Sequence, residues 1–253
     1  MVFRPKLWIT LGAAVALTAA CSEQGQPGGE TGGENGGEGG AAAQGENEGG
    51  GSGAGVGEAG AAAAYSGVPA DSLLALRIAH LKGFYLVAQR AQAVEGDASA
   101  AALAGQGLAE VYDPSAAAFA DAHIDAALLR RAAETGSEAD LAQAVAALEA
   151  AQRAAGGNAG VVTGALADIS AGLYGEVSVD GAVDPIEYQH ALGAAMSALS
   201  TARAGGLPAQ TVSDAEALVA MWHGVTAPDA VSELTPAGQV QAQASRIRLA
   251  VGS

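Results

Sequence analysis

The sequence contains little cysteine, few aromatic residues and few basic residues, and each shortage excludes a class of protein. A single cysteine among 253 residues excludes an intramolecular disulfide framework and a multi-thiolate zinc site. With only 2 Trp, 5 Tyr and 3 Phe, the core must consist of Ala, Leu, Val and Ile, which favours close-packed helices over a β-sandwich. The 11 basic and 27 acidic side chains give a net charge of −16, which removes the electrostatic attraction that nucleic-acid binding requires.

The N-terminus has the pattern of a targeting signal. Arg4 and Lys6 precede fourteen uncharged residues, 7–20, and the cysteine follows at position 21. This apolar run is too short to span a bilayer as a stable helix, so the pattern predicts a signal peptide over 1–20 that is cleaved.

The residues that end this segment, Leu17-Thr18-Ala19-Ala20-Cys21, resemble the lipobox of bacterial lipoproteins, although Thr18 stands where that family most often has Leu. The resemblance implies that Cys21 carries a diacylglycerol and binds the protein to a membrane. Ser22, in place of the Asp that tends to retain lipoproteins in the inner membrane, implies the periplasmic side of the outer membrane. The alternative is a soluble secreted protein whose signal happens to contain a cysteine.

A glycine-rich segment separates this cysteine from the rest of the chain. Residues 22–64 contain 17 Gly and 7 Glu, no Lys or Arg, and Val56 as their one large apolar residue. Such a segment buries too little surface to offset its conformational entropy, which predicts a disordered tether with a root-mean-square span of roughly 35 Å. The predicted organisation is therefore a signal peptide over 1–20, a lipidated cysteine and tether over 21–64, and a folded domain over 65–253.

Helical patterns fill the remaining 189 residues. Apolar spacing, capping residues and glycine stops predict an all-α, up-and-down bundle of six to eight helices. The predicted helices cover about 71–94, 98–112, 113–134, 137–156, 160–174, 184–205, 213–222 and 236–251. The alternation in residues 176–180 is more typical of a loop than of a sheet. Gly83 and Gly193 each follow a histidine by three residues, which indicates either a decayed duplication or, as we favour, two places of close backbone packing.

One carboxylate and imidazole pair has a spacing that suits metal binding. Glu187 and His190 are three residues apart and so share one helix face, as in carboxylate-bridged di-iron bundles. Those bundles need the pair twice and two further glutamates, whereas this sequence has it once. The alternative is that Glu187 completes a helix cap beside a partly exposed His190. His80 is expected at the edge of the core, His123 at the surface, and His223 in the last turn of a helix, where the helix dipole favours it.

In residues 174–189, a Tyr-containing helix, an Asp-Gly turn and a Glu-Tyr helix start follow one another. This stretch resembles a segment of the extracytoplasmic helical domains attached to the high-affinity iron permease family. Together with the apolar helix that follows this stretch, the resemblance covers about thirty residues, and it implies an accessory helical module, since transmembrane helices of the permease are absent. If iron or another divalent metal is the ligand, we expect Glu187 and His190 to bind it, with His80 and Glu110 contributed by other helices.

No enzyme signature is present in the sequence. Cys21 is consumed by the predicted lipidation, and neither a Gly-x-Ser-x-Gly elbow nor a phosphate-binding glycine loop occurs. We therefore expect a lipid-anchored periplasmic protein with a non-catalytic binding module, accessory to iron or other divalent-metal handling. The alternative is a structural or protein-interaction lipoprotein of the envelope that has no small-molecule ligand and acts through a protein partner.

Overall fold

The computed structural model describes residues 63–252. The predicted signal peptide, Cys21 and nearly all of the predicted tether lie outside these residues. Residues 63–66 are helical and extend across the predicted boundary between 64 and 65. None of the helices in the described part is long and apolar enough to cross a membrane.

The fold is the predicted all-α bundle, and helices account for almost all of its regular structure. Besides the helical residues 63–66, the described part contains nine α-helices, or eight without the four-residue α3. They are α1 (Ala70–Glu95), α2 (Asp97–Gly107), α3 (Ala116–Phe119), α4 (Ala126–Thr135), α5 (Glu138–Ala155), α6 (Ala159–Gly175), α7 (Pro185–Ala204), α8 (Ala209–Val219) and α9 (Ala237–Val251).

The long first helix lies at the centre of the bundle. Helix α1 packs against α2, α5, α6 and α7, while α9 covers α6 and α8 covers α7. More than half of its 26 residues are buried, so it is enclosed on most sides rather than along a single stripe. The core side chains of α2, α5, α6 and α7 therefore pack against α1.

Helices α1 and α7 approach each other through two glycines. A Cβ atom built on Gly83 would lie 2.7 Å from the carbonyl oxygen of Gly193, and one built on Gly193 would lie 2.7 Å from the carbonyl oxygen of Gly83. Neither position leaves room for a side chain. The favoured explanation of the two glycines, close backbone packing, is thus confirmed.

Several helix starts follow their local capping residues, as predicted. The hydroxyl of Ser137 accepts a hydrogen bond from the backbone N–H of Asp140 at the start of α5. The carboxylate of Asp184 accepts from the N–H groups of Ile186 and Glu187, directly before Pro185. In both cases the cap satisfies backbone donors that a helix leaves without partners.

The prediction of one continuous helix over 113–134 is wrong. Helix α2 runs on into a π-helical turn, Leu108–Tyr112, so Asp113 is already helical and cannot act as an N-cap. Short 3₁₀ turns at Asp113–Ser115 and Ala120–Ala122 flank α3, and the chain then reverses at His123, whose φ is 51°. The true cap is Asp125, which accepts from the N–H groups that follow it at the start of α4.

Three smaller predictions also differ from the structure. Helix α1 begins after Pro69 rather than at Asp71. Ser213 lies inside α8, which begins after Pro208 and ends at Val219, because the proline fixes an earlier start. Instead of the expected loop, Ser178–Val179 pairs with Ala182–Val183 in a minimal antiparallel hairpin that leads into α7.

Candidate functional site

Two histidines predicted from the sequence meet inside the bundle. His80 lies on α1 and His190 on α7, and their side chains flank Phe84 with ring centroids 5.7 Å and 4.7 Å from the phenyl ring. His80 is 8% and His190 is 6% exposed, so the expectation of a partly exposed His190 is wrong. The helices that carry the two histidines therefore face each other. We call these two residues and Phe84 the histidine cluster.

Hydrogen bonds to the surrounding helices hold both imidazoles in place. Nδ1 of His80 is 2.9 Å from the hydroxyl oxygen of Tyr65, and Nε2 of His190 is 3.0 Å from Oε1 of Gln106 on α2. Nδ1 of His190 lies 3.6 Å from a carboxylate oxygen of Glu110. Three of the four ring nitrogens thus already contact protein groups.

Burial keeps the histidine cluster uncharged at neutral pH. The pKa of His80 is lowered to about 4, mainly by desolvation and to a smaller extent by the neighbouring His190. Desolvation also lowers the pKa of His190 to about 4, against the opposing effect of Asp184. The contact between His190 and Glu110 is therefore not an ion pair at neutral pH, in spite of its short distance.

The four residues expected to bind metal do not form one ligand set. His190 and Glu110 lie together, His80 is separated from His190 by the ring of Phe84, and Glu187 is half-buried one turn before His190. Within 63–252, no three His, Cys, Asp or Glu side chains are grouped so that they could hold a metal ion. His123 lies exposed, as expected, whereas the prediction that His223 occupies the last turn of a helix is wrong, since it is an exposed residue after the end of α8 at Val219.

A second polar cluster, not predicted from the sequence, surrounds Lys82. This lysine of α1 is 1% exposed. Its ammonium donates hydrogen bonds to Oε1 of Gln152 on α5, at 2.8 Å, and to the hydroxyl of Ser200 on α7, at 3.0 Å. Nε2 of Gln152 in turn donates to the hydroxyl of Thr201, at 3.0 Å. Lys82 and these three side chains connect the central helix to two of its neighbours.

The Lys82 cluster borders a cavity of about 160 Å³, which we call the Lys82 cavity. Its walls come from α1, α5, α6 and α7, and Glu149 and Arg153 of α5 stand at its rim. An adjoining depression shares both of these rim residues. Desolvation lowers the pKa of Lys82 to about 8, an effect that the Glu149 carboxylate partly offsets and the Arg153 guanidinium reinforces. The amine is therefore still mostly protonated at neutral pH.

Comparison with known protein families, with curated proteins and with solved structures finds no match to this chain.

The sequence did carry one signal for Lys82. Ile78 and Tyr85 both lie on the apolar stripe of α1, and Lys82 follows Ile78 by four residues, so helical periodicity places it on the same face. It is also the only lysine after Lys6. A lone lysine on a buried face indicates a polar partner or a ligand, because lysine is almost never fully buried without one.

Proposed function

We propose that the chain is a lipid-anchored protein of the bacterial envelope, held on the periplasmic side of the outer membrane, whose glycine-rich segment joins the anchor to a non-catalytic helical binding module. The observation that carries the proposal is the position of Cys21. The only cysteine lies directly after a short apolar segment with a basic start, and a long glycine-rich segment precedes the bundle. The sequence has one cysteine in 253 residues, and this cysteine lies where a lipoprotein signal peptide would end, which supports lipidation over a chance placement.

Fractionation of cells that express the full chain tests the anchor. We expect the protein in the outer-membrane fraction, with an intact mass that corresponds to cleavage before Cys21 and to added acyl chains. A Cys21→Ser variant removes the sulfur that accepts the lipid and should leave the membrane fraction. Ser22→Ala serves as the matched control and should stay with the membrane. Wild-type protein with an unmodified thiol, or with residues 1–20 still attached, would refute the proposal.

For the binding module, the Lys82 cavity supports a small-molecule ligand better than the histidine cluster supports a metal. The histidine cluster is buried and mostly occupied by protein hydrogen bonds, whereas Lys82 lines a cavity and uses two of its three ammonium donors on protein groups. Pockets of this kind, apolar with a few converging polar groups, are typical ligand sites. A divalent metal remains a hypothesis that one titration can decide.

Calorimetric titration of the full chain with iron, zinc and copper tests the metal hypothesis. A metal-binding module should give a saturable heat that the double variant Glu187→Ala with His190→Ala abolishes. A His123→Ala variant, which removes an exposed imidazole elsewhere, is the control and should bind as the wild type does. Equal heats in all three proteins would rule out the predicted ligands, and absence of any heat would favour the small-molecule or protein-interaction module.

A further inference from the structure

The Lys82 ammonium has one more hydrogen-bond donor than it uses. An ammonium group has three N–H donors, and two of them reach Gln152 and Ser200. The ammonium makes no third hydrogen bond to the described residues, and Lys82 itself lines the Lys82 cavity. The third donor is therefore available to a molecule that enters this space. An unused donor on a buried cation has a high cost in free energy, which an acceptor in the cavity would remove.

The charges around the cavity favour a ligand with a negative charge. Lys82 and Arg153 contribute two positive charges, and Glu149 contributes one negative charge, so the lining carries an excess of one positive charge. The chain as a whole is strongly acidic, with a net charge of −16. A local excess of positive charge inside such a protein favours a singly charged anion over a neutral or cationic molecule.

The volume of the cavity and the geometry of its hydrogen-bond donors restrict the class of ligand further. A cavity of about 160 Å³ is close to the volume of about 150 Å³ that accommodates one benzene molecule in a protein interior. A planar guanidinium such as that of Arg153 matches the two oxygens of a carboxylate, and an ammonium adds a third donor. A phosphate dianion would bring twice the charge next to Glu149.

We propose that the Lys82 cavity binds a small monocarboxylate, with the carboxylate between the Lys82 ammonium and the Arg153 guanidinium and the apolar part against the small side chains of α1, α6 and α7. Ala75 of α1, Ala159 and Val162 of α6, and Ala204 of α7 supply that apolar wall. The assignment is independent of the lipid anchor. It would stand if Cys21 proved to be unmodified, and its failure would not affect the anchoring experiment.

Protection of Lys82 from acetylation tests the site in the unaltered full chain. Because Lys82 is the only lysine after Lys6, and so the only one after the predicted cleavage site, peptide mass spectrometry can follow its modification alone. The probes are benzoate, benzamide as its neutral analogue, and inorganic phosphate, all at the same ionic strength. We expect benzoate to slow the acetylation of Lys82 in a saturable manner, while benzamide and phosphate leave the rate unchanged.

Each other outcome of this experiment overturns a stated part of the proposal. Equal protection by benzamide would show that charge does not select the ligand, and equal protection by phosphate would refute the carboxylate class. An amine that is acetylated at the same rate with and without benzoate would show that no carboxylate binds there. A lysine that reacts only after the chain is unfolded would show that the cavity admits no small molecule, and Lys82 would then be a purely structural link between helices.

Equilibrium dialysis of labelled benzoate against variants of the full chain provides the second test. A hydrogen bond to a charged group contributes about 1.5–3 kcal/mol, so Lys82→Met should weaken benzoate binding about tenfold or more. Arg153→Gln changes an exposed residue and keeps the fold intact even if Lys82→Met does not, and it should also weaken binding severalfold. Arg130→Gln removes a positive charge of α4 that pairs with Asp113, away from the cavity, and should bind as the wild type does. Equal losses in Arg153→Gln and Arg130→Gln would refute the site.

Discussion

Lys82 shows how a single side chain can combine a cost in stability with a candidate role in binding. Its charge is buried among neutral partners, and the hydrogen bonds to Gln152 and Ser200 replace only part of the hydration that it loses. Replacement of a buried charge by an apolar side chain of similar size is often neutral or stabilising in other proteins. A residue that is kept at such a cost is a reasonable place to look for function.

The titration of Lys82 should appear as alkaline stabilisation. The folded-state pKa of about 8 lies below the ordinary lysine value near 10.5 that applies to the unfolded chain. Between these values the unfolded state binds more protons, so the free energy of unfolding should rise from pH 8 to pH 10, by on the order of 1–3 kcal/mol. Urea denaturation at several pH values measures this rise.

A Lys82→Met variant provides the control for that titration. No other lysine lies within 63–252, so the variant should lose the rise between pH 8 and pH 10 completely. Above pH 10 the buried tyrosines Tyr65 and Tyr85, whose pKa values burial raises, oppose further stabilisation. A wild-type free energy of unfolding that stays flat or falls from pH 8 to pH 10 would contradict the buried, protonated lysine.

At the scale of the element, an Asp-Pro pair predicted a helix start correctly only where no preceding helix continued through it. Asp184 and Pro185 follow a hairpin, so the cap and the proline determine the start of α7. Asp113 and Pro114 have the same sequence pattern, but the helix before them continues through a π-turn, and the cap has no free helix end to occupy. The few residues around Asp113 do not show that the preceding helix continues through them. The path of the chain from Leu108 to His123 is determined by packing against the core.

The corrected start of α4 can be tested by a pair of aspartate variants. The Asp125 carboxylate accepts hydrogen bonds from the N–H groups of Ala127 and Leu128. Asp125→Ala should therefore lower the free energy of unfolding by about 1 kcal/mol. Asp113→Ala removes only an exposed pair with Arg130 and should cost less than about 0.5 kcal/mol. Chemical denaturation that reverses this order would contradict the assignment of Asp125 as the cap.

The glycine contact between α1 and α7 provides a second prediction at this scale. A Cβ at position 83 would lie 2.7 Å from the backbone of Gly193, and backbone cannot move aside as a flexible side chain can. Gly83→Ala should therefore destabilise the protein by about 1–3 kcal/mol, although alanine favours helices.

The matched control is Gly105→Ala in α2, where an added Cβ meets nothing within 4 Å. This variant should stabilise the protein by up to about 1 kcal/mol through the higher helix propensity of alanine. Thermal or chemical unfolding of both variants measures the two changes in stability. Equal effects of the two substitutions would show that α1 and α7 are not in close contact.

For the molecule as a whole, composition and periodicity were sufficient to predict an all-α bundle, whereas the arrangement of its polar groups could not be predicted. The pairing of His190 with Gln106 and of Lys82 with Gln152 joins residues separated by 84 and 70 positions. Such partners become neighbours only through the order in which the helices pack. The sequence thus indicated His80 and His190 by residue type, but gave no indication that Phe84 separates them or that other side chains occupy their nitrogens.

Acid should loosen the whole bundle through its histidine cluster. Both imidazoles have folded-state pKa values of about 4, below the ordinary value of 6.5 in the unfolded chain. Between these values the unfolded state binds more protons, so the stabilisation is fully present above pH 6.5 and is lost as the pH falls toward 4. The loss should be on the order of 3 kcal/mol for each histidine. Circular dichroism during denaturation at pH 4.5 and pH 7 measures it.

Histidine variants separate this effect from general acid denaturation. His190→Gln keeps a hydrogen-bonding side chain near Gln106 but has no titratable group, so the difference between pH 4.5 and pH 7 should shrink by about half. His223→Gln replaces an exposed imidazole and should leave the difference unchanged. An unchanged difference in His190→Gln would show that this histidine does not titrate between the folded and the unfolded states as its burial requires.

The central position of α1 has a mechanical consequence. A pulling force applied upstream of residue 63 enters the bundle at the start of this helix, which four other helices surround. The load therefore acts on the interior of the protein first, instead of peeling off a peripheral helix. In an optical trap that applies the load between the N-terminal side of residue 63 and α5, which packs directly against α1, rupture should occur in one abrupt step.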